Sequence, residues 1–421
     1  MKENLLQYIW NYKLFRNFDF VDTLGNNIEI LDFGKWNLNS GPDFMEGKIK
    51  INGIILVGNI ELHVRTSDWI FHNHTGNVEF KNLILHAVFH DDAKIEELEM
   101  RNIPTLELRN FIDQEIIQKY QKIDTNNDFI PCENIFDANK IPFGFHEENI
   151  LKKLDEKSKE IAQSLKKNLN NYEAILFQNL AYAFGLKVNA EIFRLMAENI
   201  DFTVLNKIRQ NLLQTEALFF GMCGWLDHSE DDYMKILQRE FDFLCTKYQL
   251  TDLRVQPKFS KLRPPNFPTL RLSQLASLYH QNQNLFSKII TAENADDIYD
   301  IFASVKASNY WNNHFVFGKT SKSEHENTLT KDFVDLILIN AILPLKYFYH
   351  KNLDENIADK ITSFYQTIAA EKNTVTDRWK RLGLKASNAL ESQSLLYQFK
   401  NFCSEKKCLN CTVGFQLLKT Q

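Results

Sequence analysis

The chain has 421 residues, 44% apolar and 24% charged, a balance that excludes a disordered or fibrous protein. At roughly 100 to 200 residues per domain two or three domains are expected, and 33 Phe against 14 Gly and 9 Pro predict closely packed helices. The net charge of −5 excludes a domain held to nucleic acid by overall charge alone, because such domains carry a clear positive excess.

Residues 4–15 begin with helical spacing of Leu5, Ile9, Tyr12 and Phe15, interrupted by Glu3, Asn4, Gln7, Asn11 and Lys13. The interruptions exclude a signal peptide there. The period then changes to alternation. Residues 26–34, 47–64 and 82–92 are rich in Ile, Val and Leu, with Asn52-Gly53 as a hairpin turn between two strands. Residues 104–110 predict a further short strand, and a helix opens near 111. A polar, Pro-containing stretch reads as a linker over 121–147. From 148 to 421 the period is 3.6, with apolar stripes and charged opposite faces. The expected fold is thus an α+β domain over 1–120, a helix with a mixed or antiparallel sheet, then a linker and an all-helical domain. Residues 333–350 come closest to a membrane span, but Asp335, Asn340 and Pro344 break the run, which predicts a buried helix kinked at Pro344. A soluble, cytoplasmic protein is expected, with no membrane partner and with its six Cys as reduced thiols or metal ligands.

The chemistry concentrates early. Pro42-Asp43 opens one strand of the predicted hairpin, and Glu61-Leu62-His63 lies on the other. Alternation puts Glu61 and His63 on one face. Asp43 and Glu61 then offer hard oxygen ligands for Mg²⁺ or Mn²⁺, with His63 as base or charge stabiliser. Such a cation activates water and neutralises charge at a phosphodiester. The alternative is turn chemistry at Pro-Asp and a solvated Glu.

This arrangement resembles the PD-(D/E)xK nuclease superfamily, whose core is a helix, strands bearing Pro-Asp and Glu-x-Lys, then a helix and a strand. His63 stands where that superfamily usually has Lys. Lys48 or Lys50 on the neighbouring strand is a spatial substitute, and Glu3 lies where such folds often place another acid. The resemblance covers about the first 90 residues and implies a metal-dependent nuclease.

Downstream, Asp68, His72, His74, His86 and His90 follow within a short span. His72-x-His74 suits a transition metal, with His63 or Asp68 completing a zinc site. His86, inside an apolar run, reads as a core residue. Cys403-x4-Cys408-x2-Cys411, with Cys132 as a fourth partner, matches either a zinc clip or an iron–sulfur cluster; unligated thiols are the plain alternative. Cys223 and Cys245 read as core. Arg254, Lys258, Lys261, Arg263 and Arg271, around Pro264, Pro265 and Pro268, form a stiff basic loop able to track a nucleic-acid backbone, or else to pair with acidic helix faces at Glu230, Asp231 and Asp232. The GPDF and IELHVRTSDW strings, His72 and His74, KLRPPNFPTLRLSQLA and the terminal Cys triplet together resemble an uncharacterised bacterial domain-of-unknown-function family spanning the chain. That resemblance implies no activity. Three functions compete: a metal-dependent nuclease or phosphodiesterase on nucleic acid, a non-catalytic helical interaction or scaffold protein that carries a nuclease-like domain, and, third, a zinc enzyme centred on His72 and His74.

Overall fold

In the computed structural model, which describes residues 1–228, 230–251 and 253–419, the chain divides into two units. One is built from Met1–Phe143, Arg378–Leu384 and the segment from Gln398 onward; the other from Gly144–Asp377 and Lys385–Tyr397.

The first unit opens with α1 (Glu3–Tyr12), which buries Leu5, Leu6, Ile9 and Trp10. Strands β1 (Phe20–Val21), β2 (Asn27–Asp32), β3 (Lys35–Trp36), β4 (Phe44–Ile51) and β5 (Ile54–Arg65) follow. Asn52 and Gly53 both take left-handed backbone, φ +50° and +79°, the geometry a two-residue hairpin turn requires, so β4 and β5 pair antiparallel. A short helix, α2 (Asp68–Phe71), leads to β6 (Leu83–His90). Then come α3 (Glu96–Met100), β7 (Thr105–Glu107) and α4 (Gln114–Asp124). The seven strands form one sheet in the order β1-β2-β4-β5-β6-β7, with β3 beside β4. Pairing is antiparallel up to β5 and parallel from β5 to β6 and β6 to β7, so the sheet is mixed. The middle of β5, Ile60 to His63, is buried on both faces, as expected of a strand flanked on each side.

Gly58 sits where β5 passes the chain entering β6. A Cβ there would drive into the Asn82 carbonyl oxygen and the Ile84 methyl, and a backbone atom cannot yield as a flexible side chain can. Gly58→Ala is expected to destabilise the first unit by about 2–3 kcal/mol, read as a lower urea midpoint; an unchanged midpoint would mean that the strand shifts freely.

Residues 121–147 are not a loose linker. They contain the end of α4 and two single turns, Glu133–Ile135 and Ala138–Lys140, with Ile130 and Cys132 buried. Arg378 grips Glu133 through two hydrogen bonds of 2.9 and 3.0 Å, and Phe136 meets Trp379 edge-on at 5.5 Å. The C-terminal segments therefore belong with the sheet, a return contact that local periodicity does not encode.

The second unit is largely helical, beginning with α5 (Phe145–Lys167), α6 (Tyr172–Phe184), α7 (Leu186–Glu198), α8 (Phe202–Ile208), α9 (Leu212–Met222), α10 (Asp232–Tyr248) and α11 (Pro268–Gln281). Asn171, Asp201, Asn211 and Asp231 accept hydrogen bonds from first-turn N–H groups, the capping that their side chains favour. The expectation of helix alone needs one correction: β8 (His314–Val316) and β9 (Lys319–Thr320) form a two-stranded ribbon. These strands are too short to show an alternating pattern. The apolar run predicted to kink forms Lys331–Ile337, a wide turn over Leu338–Ile342, and Leu343–Lys351. Pro344 lacks the N–H needed to continue the regular ladder. By length and composition this run is long enough to cross a membrane, and most of it is buried inside the helical unit. There Lys346 Nζ donates to the carbonyls of Ile289 (3.3 Å), Ala292 (2.9 Å) and Ile290.

Candidate metal centre

The site assembles on β5. Asp43, just before β4, and Glu61 are bound reciprocally: the Asp43 N–H donates to Glu61 Oε2 (3.0 Å) and the Leu62 N–H to Asp43 Oδ2 (3.0 Å). Gln7, one turn after Glu3 on α1, donates to Asp43 Oδ1 at 2.7 Å. Glu61 Oε1 is left facing two imidazoles, His74 Nε2 at 3.2 Å and His63 Nε2 at 3.6 Å.

His72 and His74 reach this point because α2 ends abruptly. Asn73 adopts φ +56°, and the His74 N–H returns to the Trp69 carbonyl at 3.1 Å, a helix stop that folds the chain back on itself. Trp69 is buried, 5.2 Å from the His74 ring and 5.5 Å from that of His86. One ring nitrogen from each of His63, His72 and His74 lies within 4.8 Å of the others. Their exposure is graded: His63 is buried, His74 intermediate and His72 exposed, so the group opens to solvent on one side.

His63 Nδ1 and His86 Nε2 are 2.9 Å apart. With the proton on His63 Nδ1, the bond to His86 leaves a lone pair on His63 Nε2 aimed into the site. This is how an outer residue orients a ligating imidazole. The Nε2 atoms of His63 and His74 are buried and have no hydrogen-bond partner, an arrangement that costs free energy unless something binds there.

Electrostatics agree with the geometry. Burial, reinforced by the charge of Glu3, pushes Glu61 up to about 8; burial and the neighbouring Glu61 push Asp43 up to about 8. Burial and the surrounding imidazoles hold His63 down at about 2, and burial with His74 holds His86 at about 3. His63 and His86 are thus neutral near pH 7 and supply no counter-charge to the buried carboxyls. Three imidazole nitrogens, with Glu61 Oε1 beside two of them, suit Zn²⁺, Mn²⁺ or Fe²⁺ better than Mg²⁺, which prefers oxygen and water.

The family profile described as "Protein of unknown function (DUF2851)" matches residues 3–374. The chain belongs to this family. No curated protein and no solved structure matches it. The DUF2851 match takes in Glu3, Asp43, Glu61, the histidines and Cys132, and ends before Cys403.

Several expectations change. Both oxygens of Asp43 already accept hydrogen bonds, so the carboxylate facing the imidazoles is that of Glu61. Lys48 and Lys50 do not substitute for the superfamily lysine: they pair opposite Val57 and Ile55, four or more residues from Glu61, or at least about 13 Å along the strand. Lys50 instead meets Glu29 at 3.5 Å. Asp68 accepts from the Arg65 N–H (2.8 Å) at the start of α2, and His90 bonds Glu107 (2.9 Å). His86 is a buried core residue, as read, and also lies 2.9 Å from His63; the parallel β5–β6 register that sets it beside Glu61 is not written in local periodicity.

In the helical unit Arg254, Lys258, Lys261 and Arg263 are exposed. Arg271 does not join them. It is buried, donates to Gln274 (2.9 Å) and Asn266 (2.5 Å), and lies 3.5 Å over the Phe333 ring. Asp231 caps α10 through the Met234 N–H (2.8 Å) and accepts from Tyr310 and Gly318.

Proposed function

We propose that the first unit is a metal-dependent hydrolase acting on phosphodiesters of nucleic acid, with Glu61, His63, His72 and His74 holding one divalent transition-metal ion. The observation that carries this reading is the pair of buried Nε2 atoms of His63 and His74, which make no hydrogen bond and face Glu61 Oε1 at 3.6 and 3.2 Å. When bound, such an ion supplies Lewis acidity and neutralises charge developing on a phosphoryl group. The protein's own groups do the rest. His86 holds the His63 ring, the Asp43 N–H holds Glu61 Oε2, and Gln7 and the Leu62 N–H hold Asp43. Exposed His72 marks the side from which a substrate approaches.

The phosphodiester assignment draws on chain order. A helix carrying Glu3, a strand entered through Pro42-Asp43, a strand carrying Glu61-x-His63 and a parallel strand beyond it follow the succession of the PD-(D/E)xK core, with α2 much shorter than a full crossover helix. The exposed cations of the 254–263 loop suit a polyanion. The test is incubation of the full chain with single-stranded, duplex and branched DNA and with RNA, in Mn²⁺, Zn²⁺, Mg²⁺ or chelator. Cleavage with Mn²⁺ or Zn²⁺ that chelation stops and metal restores is expected. Metal-loaded protein that cleaves none of them would overturn the reading in favour of an interaction protein.

A further inference from the structure

The four cysteines 132, 403, 408 and 411 come together in the first unit. All four are buried, none is in a disulfide, and all line one enclosed space with Pro131, Trp379 and Gln398. Cys132 arrives from the segment after α4. The other three arrive on a tight knuckle: a wide turn over Phe399–Cys403, a single turn over Cys408–Asn410, then a helix over Thr412–Leu418. The knuckle is closely built. A Cβ on Gly414 would drive into the Cys408 carbonyl oxygen, so only glycine lets the final helix close over Cys408.

Two N–H groups point at one sulfur. Gln398 Nε2 lies 2.8 Å from Cys411 Sγ and the Gly414 N–H 3.4 Å from it. A side-chain amide buried and spent on sulfur is poorly explained if that sulfur is an ordinary core thiol, because the thiol is a weak acceptor. It is well explained if the sulfur carries charge, as thiolates in metal centres do, their hydrogen bonds tuning the site.

We propose that Cys132, Cys403, Cys408 and Cys411 hold a second, thiolate-ligated metal centre, separate from the imidazole site, that staples the C-terminal knuckle to the segment around Cys132. Four soft sulfur ligands select a zinc ion or an iron–sulfur cluster and reject Mg²⁺ and Ca²⁺. Among the described residues, the set whose ligand atoms all lie within 4.8 Å of one another is the imidazole group. The ligands are split between two distant stretches of chain, so binding free energy there becomes folding free energy for the C-terminal end.

The experiment is anaerobic purification of the full chain and measurement of zinc, iron and acid-labile sulfide, beside Cys132→Ser, Cys408→Ser, Cys223→Ser and a His72→Ala/His74→Ala double variant. Metal held by the thiols is expected to survive in the Cys223 and histidine variants and to be lost from the Cys132 and Cys408 variants. Zinc without sulfide identifies an ion; equal iron and sulfide with broad visible absorption identify a cluster. Should the Cys132 and Cys408 variants fail to fold, thiol titration of the folded wild type decides: the four thiols are expected to react only as metal is released. Wild type that carries neither zinc nor iron at these thiols, or whose thiols titrate without releasing metal, would overturn the proposal. The histidine variant separates this outcome from failure of the hydrolase reading.

Discussion

A Glu61→Gln variant is expected to lose at least about 10²–10³-fold in kcat/KM for phosphodiester cleavage, the scale on which removing one preorganised electrostatic partner acts, while keeping its fold. The amide has the shape of the carboxylate and still offers an oxygen to the Asp43 N–H. What it lacks is the charge at Oε1 that faces His63 and His74 at 3.6 and 3.2 Å. A neutral oxygen is a poor fourth ligand beside three imidazoles, so Mn²⁺ or Zn²⁺ affinity, followed by calorimetry, should fall together with activity. Equal activity and equal metal affinity in the two proteins would remove Glu61 from the centre. Lost activity with unchanged affinity would move its role from holding the ion to handling a proton.

Metal-stripped protein is expected to lose stability as the pH rises from about 6.5 to 8, whereas metal-loaded protein stays level or gains. Asp43 and Glu61 are held up at about 8 in the folded state, against about 4 when unfolded. Between these values the folded state binds more protons than the unfolded one, and stability must fall with rising pH, by about 1.4 kcal/mol per pH unit for each proton. His63 and His86 act in the opposite sense. Held near 2 and 3, they stay neutral in the fold while the unfolded chain takes up protons below about 6.5, so they cost stability on acidification. Below 6.5 the two effects oppose each other; above it only the carboxyls act. A bound cation replaces the protons and removes the loss. Unfolding midpoints in chelator at pH 6.5, 7.5 and 8.5 check this, and Glu61→Gln should unfold later than wild type at pH 8.5 when both are stripped. A flat wild-type profile in chelator would mean that the carboxyls are solvated and the pocket is not closed around them.

Much of the first unit was legible because its signals are local. Asn52-Gly53 can turn only one way at that position, the alternation on either side follows from the two-residue repeat of a strand, and the same repeat places Glu61 and His63 on one face. His72 and His74 declared themselves by type and spacing. The helical period of the second unit announced its architecture, and Pro344 announced the distortion of its most apolar helix.

By itself, then, the sequence determined the hairpin, the succession of strands and helices, and which residues were chemically able to bind a metal, since these follow from nearest-neighbour geometry and side-chain type. Tertiary structure alone decided the rest. It set β6 parallel beside β5, so that His86 buttresses His63. It turned Asp43 into the clasp of Glu61, buried Arg271 against Phe333, and carried Cys403, Cys408 and Cys411 back to Cys132. Each of these is a contact between distant stretches of chain, chosen by the burial of shared apolar surface, and no local period records which stretches will share it.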